Sequence, residues 1–265
     1  MYKLIVTDLD NTLLAKDGSV PESTVEICKN LVKKGHILAI ATGRSYPSAK
    51  AMAEKIGIDT PLICYNGANI RNLDGTYIYK SVVPKDVQEG IVEFVRERKL
   101  YLQVYDRDEI VVEKLNTNAH PDPDLKFVKY KETKDLEKLK EIETPKLLIA
   151  APPSEVPALQ HELEKLYGDK AYFAQSESHL IEVMEKGVNK GRALDTLAQK
   201  LNVKKEEILA LGDNTNDALL LTHAGFGVAV ANAVDSLKAI ADYVATKKRS
   251  EGFNEAIEKF ILNDL

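Results

Sequence analysis

Short, wholly apolar runs spaced by amphipathic stretches constrain this chain more than any other feature. Leu4 to Val6, Ile37 to Ala41 and Leu62 to Cys64 each hold only apolar residues. Between them, Val25, Cys28, Leu31 and Val32 recur at helical spacing, and a second helical stretch from about Pro47 to Ile56 is closed by Gly57. A strand apolar on both faces must be covered on both faces, which is the signature of a parallel sheet between layers of helices. The same alternation returns after Asn189: a helix to Leu201, strand Ile208 to Leu211, helix Asn216 to His223, strand Gly227 to Val230, helix Ser236 to Ala241, strand Tyr243 to Ala245 and helix Gly252 to Leu262.

Between these halves the pattern changes. Asp74-Gly75 lies between two strand-like arms within Asn69 to Lys80, a hairpin signal. Lys85 to Arg98 reads as a helix with Val87, Ile91, Phe94 and Val95 inward, and Leu100 to Tyr105 with Glu109 to Lys114 forms a second hairpin. After the loop Asn116 to Asp124 come strand-like Phe127 to Lys131, a charged helix near Lys134 to Lys140, strand Leu147 to Ala150, a helix near Ser154 to Tyr167, and strands near Tyr172 and at Leu180 to Met184. Hairpins beside isolated helices predict an antiparallel sheet with helices on one face. The expected fold is therefore α/β, a Rossmann-like parallel-sheet core of residues 1–82 and 186–265 interrupted by an α+β cap of residues 83–185. The mixed-charge run Lys131 to Glu143 reads as a solvated helix face.

Composition narrows the functions available. At 265 residues, 44% hydrophobic and 29% charged, the chain has the make-up of a soluble globular protein of two domains. A net charge of -5 gives no footprint for a nucleic-acid backbone, although a local site can still take a small anion. Cys28 and Cys64, without ligand spacing around them, read as reduced core cysteines. No apolar run approaches the roughly 20 residues of a membrane span, and the opening Met1-Tyr-Lys-Leu-Ile-Val lacks signal-peptide order, so a cytoplasmic protein is expected.

The chemistry gathers at the ends of the core strands. Asp8 and Asp10 follow the first strand, and residues two apart in an extended chain face the same way, so both carboxylates are expected to converge. Other Asp-x-Asp pairs, Asp106/Asp108 and Asp122/Asp124, read as turn chemistry. Asp8 differs because open α/β sheets bind ligands at the carboxyl ends of their strands. Two adjacent anions there call for a hard cation or a shared proton. Thr42-Gly43-Arg44 follows the second strand and offers a hydroxyl, a pliant backbone and a guanidinium suited to phosphate oxygens. Asp213 and Asp217 follow strand Ile208 to Leu211. Lys190 opens a helix, where a cation opposes the helix dipole, a cost that makes sense if it faces an anion.

Taken in order, Asp8-Leu-Asp10-Asn-Thr-Leu, Thr42-Gly43-Arg44, Lys190 and Gly212-Asp213-x-x-Asn216-Asp217 resemble the haloacid dehalogenase superfamily, specifically its Cof-type sugar-phosphatase-like branch. Tyr65-Asn66-Gly67-Ala68 and Glu182 through Gly191 also fit. The resemblance implies a Mg2+-dependent phosphatase acting on small phosphorylated metabolites. In it Asp8 is the nucleophile and Asp10 the general acid and base. Thr42 and Lys190 hold the transferring phosphoryl group, with Gly43, Arg44, Asn66 and Asn216 on the substrate. Mg2+ is held by Asp8, Asp213 and the Asp10 carbonyl, with Asp217 and Asn216 in support. The insert becomes a cap that closes over the site and reads the leaving group. Asn11 stands where the branch usually has Gly, and Asn tolerates the positive φ such a turn needs.

Rival readings are a phosphomutase and a phospho-acceptor signalling module of receiver type; the latter has no use for Asp10 or for a hundred-residue cap. A P-loop enzyme is excluded by the missing Gly-x4-Gly-Lys-Ser/Thr. Gly225-Phe-Gly227 reads as a turn entering a strand, and His120 and His179 as exposed or structural histidines.

Overall fold

The computed structural model describes residues 1–116 and 127–262, so His120, Asp122 and Asp124 lie outside the described residues. Two compact units emerge: Met1–Tyr79 with Asn189–Leu265, and Lys80–Val188. In chain order the first unit begins with β1 (Leu4–Thr7), α1 (Glu22–Lys33), β2 (Ile37–Ala41), α2 (Tyr46–Ile56), β3 (Leu62–Cys64), β4 (Asn69–Arg71) and β5 (Tyr77–Lys80). The second contains α3 (Lys85–Arg98), β6 (Tyr101–Asp106), β7 (Glu109–Val112), β8 (Lys129–Glu132), α4 (Glu137–Lys140), β9 (Leu147–Ala150), α5 (Val156–Tyr167), β10 (Ala171–Glu177) and β11 (Leu180–Glu185). The first unit then resumes with α6 (Lys190–Leu201), β12 (Ile208–Gly212), α7 (Ala218–His223), β13 (Phe226–Ala229), α8 (Asp235–Lys238), β14 (Tyr243–Val244) and α9 (Arg249–Ile257).

The core sheet runs β14-β13-β12-β1-β2-β3-β4-β5. Pairing is parallel from β14 to β3, and β4 turns back antiparallel on β3. Both faces are buried, as the uninterrupted apolar runs require. On one face Leu4, Val6, Ala39 and Ala210 pack with Leu194 and Leu197 of α6 and Leu220 and Leu221 of α7. The alternate residues Ile5, Ile40, Leu209 and Leu211 are equally buried. Because β2 lies on one side of β1 and β12 on the other, the strand order reverses at β1. A crevice opens at such a switch point, beyond the carboxyl ends of the strands.

The second unit's sheet runs β10-β11-β9-β6-β7-β8. One face packs Val104, Val111, Ile149, Phe173, Ile181 and Val183 against α3 and α5, burying Val87, Ile91, Leu159 and Leu163. Among the residues of opposite parity are Gln103, Tyr105 and Glu182, and Lys146 Nζ lies 3.1 Å from Glu182 Oε1 and 4.7 Å from the Tyr105 ring centre.

Several expectations are corrected. The second sheet is not wholly antiparallel, since β8 pairs parallel to β7. The charged run Lys131 to Glu143 is a helix face only over α4: it ends β8, turns, and supplies that single turn, having one buried apolar residue there, Leu139, to anchor it. Val32, placed inward by spacing alone, is 39% exposed, while Ile27 joins Val25, Cys28 and Leu31 in the interior. The last helices are also shifted, α8 to Asp235–Lys238 and α9 to a start at Arg249.

Candidate active site

The site is built by the segments that leave the carboxyl ends of β1, β2, β3 and β12. After Thr7 the chain leaves the strand and winds through one turn, Leu9–Leu13, in which Asn11 takes φ 58°. That is the left-handed conformation expected at this position, where Asn is tolerated better than most residues. The turn, not strand alternation, sets how Asp8 and Asp10 lie. Period-two alternation holds only within a strand, and the strand has ended before Asp8. The Asp8 side chain is 8% exposed, whereas the Asp10 side chain is 49% exposed and meets Arg44 instead.

Asp8, Asp213 and Asp217 are all buried and bring carboxylate oxygens within 4.8 Å of one another. Lys190, fully buried at the first position of α6, donates from Nζ to Asp8 Oδ1 and Asp217 Oδ1, each at 2.6 Å. The cation that opposes the helix dipole thus sits between two carboxylates. The other Asp217 oxygen accepts from the backbone N–H groups of Asp213 (2.9 Å) and Asn214 (3.0 Å). With both oxygens committed, Asp217 holds Lys190 and the loop after β12, which leaves Asp8 and Asp213 to face a ligand. Thr12, to which sequence reasoning gave no role, donates from its hydroxyl to Asp213 Oδ1 at 3.0 Å. Val234 N–H bonds the Asp213 carbonyl at 2.9 Å.

Two glycines make the assembly possible. A Cβ on Gly212 would lie 2.5 Å from the Asp217 Cβ, so only glycine lets Asp217 fold back over the strand end. Gly67, at φ 107°, would place a Cβ 2.4 Å from the Asn189 carbonyl oxygen, where the chain enters α6. Asn66, beside it at φ 54°, accepts from Asn216 Nδ2 at 3.0 Å. Asn189 caps α6 by accepting from the Arg192 N–H at 2.8 Å. Thr42 is fully buried, and its hydroxyl accepts from the Arg44 N–H at 3.1 Å.

The sequence predicts that Arg44 offers its guanidinium to phosphate oxygens. In the structure that fork is engaged by Asp10, with Nε to Oδ2 at 2.8 Å and Nη2 to Oδ1 at 2.5 Å, while Nη1 donates to Ser48 Oγ at 3.3 Å. A bidentate pair of this kind fixes the carboxylate's orientation as well as its charge. His179 Nδ1 lies 3.8 Å from Glu177 Oε2 in the β10–β11 turn. Gly225 leads into β13, as a turn entering a strand would.

Charge decides what the buried cluster can hold. Three carboxylates and one ammonium sum to minus two, in a place from which water is largely removed. Burial pushes the Asp8 carboxyl well above its usual range; Lys190 opposes this, and Asp217 and Asp213 reinforce it. Burial, then the charge of Asp217, pushes Asp213 up to about 6. Burial alone would lower the Lys190 ammonium, but Asp217 and Asp8 outweigh it and hold the group above the usual lysine range. The cluster is short of positive charge by the amount a divalent cation carries, and hard oxygen donors are the ligands such an ion takes.

Comparison with known proteins agrees with this geometry. A family model described as haloacid dehalogenase-like hydrolase matches residues 5–257. HMP-PP phosphatase of Serratia proteamaculans is 31% identical over 245 residues, covering 91% of this chain and 88% of that protein. The 5-amino-6-(5-phospho-D-ribitylamino)uracil phosphatase of Bacillus subtilis is 28% identical over 272 residues, 97% of each. Among solved structures, a haloacid dehalogenase-like hydrolase from Bacteroides thetaiotaomicron superposes with a TM-score of 0.90 at 29% identity, covering 98% of this chain and 100% of the other. A crystal structure from Thermotoga maritima gives 0.91 at 29% identity, with 98% of each covered. No helix among the described residues is long and apolar enough to cross a membrane. With the parallel core, the strand-end carboxylates and a match along nearly its whole length, the chain is a hydrolytic enzyme that belongs to the haloacid dehalogenase-like hydrolase family.

Proposed function

We propose that this enzyme is a Mg2+-dependent phosphatase that hydrolyses small phosphomonoesters, sugar phosphates foremost, through an aspartyl phosphate on Asp8. The observation that supports this most is the buried Lys190 bridging Asp8 and Asp217 beside Asp213, at the carboxyl ends of β1 and β12. The named relatives from Serratia and Bacillus are phosphatases of small phosphorylated compounds, which supports the same class of substrate.

The Asp8 carboxylate attacks phosphorus as the bond to the leaving oxygen breaks, and Asp10 delivers a proton to that oxygen. Asp10 then takes a proton from water, which attacks the phosphoaspartate and releases inorganic phosphate with the Asp8 carboxylate restored. Lys190 and Thr42 hold the transferring phosphoryl oxygens, and Asn66 and Asn216, bonded to each other, border the substrate. Mg2+, held by Asp8, Asp213 and the Asp10 carbonyl, with Asp217 steadying the site, would neutralise charge on those oxygens when bound. Residues 83–185 contribute to the choice of leaving group.

The test uses Asp8→Asn, nearly isosteric but unable to form the acyl phosphate. Rapid quench of wild type with 32P-labelled substrate should trap label on Asp8, and the variant should trap none and show no turnover with its fold retained. Label on another residue, or turnover by the variant, would overturn the assignment.

A further inference from the structure

One part of the core unit has no role in the reaction just described, yet is bonded to the turn that carries Asp10. Lys247 and Lys248, between β14 and α9, and Arg249, the first residue of α9, form a run of three cations. None of them has a carboxylate partner among the described residues, in a protein whose net charge is -5. Three adjacent cations without such partners leave a local positive field.

The segment is built rather than loose. Glu255, from α9, accepts the backbone N–H groups of Thr246 (2.9 Å) and Lys247 (3.0 Å), the Thr246 hydroxyl (2.8 Å) and the Tyr243 hydroxyl (2.7 Å). The Lys247 carbonyl accepts from the Ala231 N–H at 3.0 Å. Arg249 sits at φ 52°, a conformation that a long side chain takes at a cost and keeps only where its surroundings impose it. Asn232 imposes it: its Oδ1 accepts from the Arg249 N–H at 2.7 Å, while its Nδ2 donates to the Asn11 carbonyl at 3.0 Å. One asparagine therefore ties the arginine backbone to the residue next to Asp10. The Arg249 side chain leans the same way, with Nε 3.4 Å from Asn11 Oδ1, and neither Nη group has an acceptor among the described residues. The result is a half-exposed guanidinium fork held against Asn11, the residue that follows Asp10.

We propose that Arg249, with Lys248 beside it, is a specificity-determining cation that binds a second anionic group on the leaving portion of the substrate, so that the enzyme prefers phosphate esters carrying a further phosphate or carboxylate. The proposal rests on the phosphatase reading above. A guanidinium fork recognises either anion by paired N–H donors, and its two open Nη groups supply them. Asn11 takes part through its side chain, which a glycine at that position could not do.

The test compares matched substrates with and without the second anion: fructose 1,6-bisphosphate against fructose 6-phosphate, and phosphoglycolate against ethyl phosphate. Wild type should show the higher kcat/KM for the doubly anionic member of each pair. Arg249→Gln should reduce that preference by about 10- to 100-fold, the worth of one or two charge-assisted hydrogen bonds, mainly through KM. Arg249→Gly is the second variant, because glycine accepts the positive φ without strain and removes the fork while the turn keeps its shape. It should lose the preference to the same degree, and competitive inhibition by pyrophosphate relative to orthophosphate should weaken in parallel. Preference in only one pair would identify the anion. Turnover without preference in either pair, or equal losses on both members of each pair in the variants, would overturn the proposal and leave the phosphatase reading standing. No turnover of any phosphate ester would overturn both.

Discussion

Replacing Lys190 by methionine removes the only ammonium from a cluster of three buried carboxylates. Methionine keeps much of the volume, so the change is chiefly electrostatic. Each 2.6 Å contact is worth about 6 kcal/mol of attraction at an effective dielectric of about 20, and the desolvation of the ammonium offsets much of the pair. The net loss on breaking buried pairs of this sort is about 3–5 kcal/mol, because the carboxylates remain buried without their partner. In a chain of this size that is a fall of roughly 6–20 °C in the melting temperature of the core. The assay is urea unfolding in chelator at neutral pH, monitored by a probe in the core unit. The double variant Lys190→Met/Asp8→Asn should recover about 1–3 kcal/mol, since it removes one of the stranded charges. The loss in the single variant should shrink as pH falls, because protonation neutralises the same carboxylates. A loss below about 1 kcal/mol, or a double variant no more stable than the single, would show that Lys190 does not neutralise this cluster.

Three further outcomes are expected. Asp213 has its carboxyl raised from 3.8 to about 6, so between those values the folded chain binds more protons than the unfolded one, and charging Asp213 costs stability as pH rises. The metal-free stability of Asp213→Asn relative to wild type should therefore improve from about pH 4 to about pH 6 and then level, and Mg2+ should stabilise wild type but not the variant; thermal melts with and without the ion read both. Asp10→Asn should cost roughly 10²- to 10⁴-fold in rate on alkyl phosphates and less on 4-nitrophenyl phosphate, whose leaving group needs little protonation; equal losses would remove Asp10 from that role. Gly67→Ala should destabilise by about 1–3 kcal/mol, as φ 107° and a 2.4 Å approach to the Asn189 carbonyl leave no room for a methyl group, and a melt indistinguishable from wild type would contradict the close approach.

The core was legible because its information is local. Each of β1, β2, β3 and β12 is built on a run of apolar residues, and the polar residue just past such a strand has only one end of the sheet on which to lie. Lys190 was legible for a different reason: an unfavourable position for a cation announces a partner. What escaped was set by contacts between distant segments or by a change of local geometry. The strand ends before Asp8, and nothing in Asp8-Leu-Asp10 marks that end. The pairing of Arg44 with Asp10 spans 34 positions, beyond the reach of local spacing. Thr12 stood inside a quoted motif, yet its bond to Asp213 spans 201 positions and leaves no mark on local spacing. In the run Lys131 to Glu143 charge suggested a helix, while too few apolar residues were present to bury one.

The spacing of those partners also orders events in time. Asp8 leaves the ribosome well before its partners: the lysine bonded to it comes 182 positions later and the aspartate that Thr12 holds arrives later still. β1 likewise waits for β12, its neighbour in the sheet, until the whole intervening unit has been synthesised. A chain that stops short of β12 therefore carries Asp8 without Asp213 and Asp217, the other two carboxylates of the cluster. Late contacts of such long sequence separation slow the closing of the sheet. A nick between β5 and α6 should accordingly leave two fragments, each inert alone, whose reassembly can be tracked by the return of hydrolysis itself.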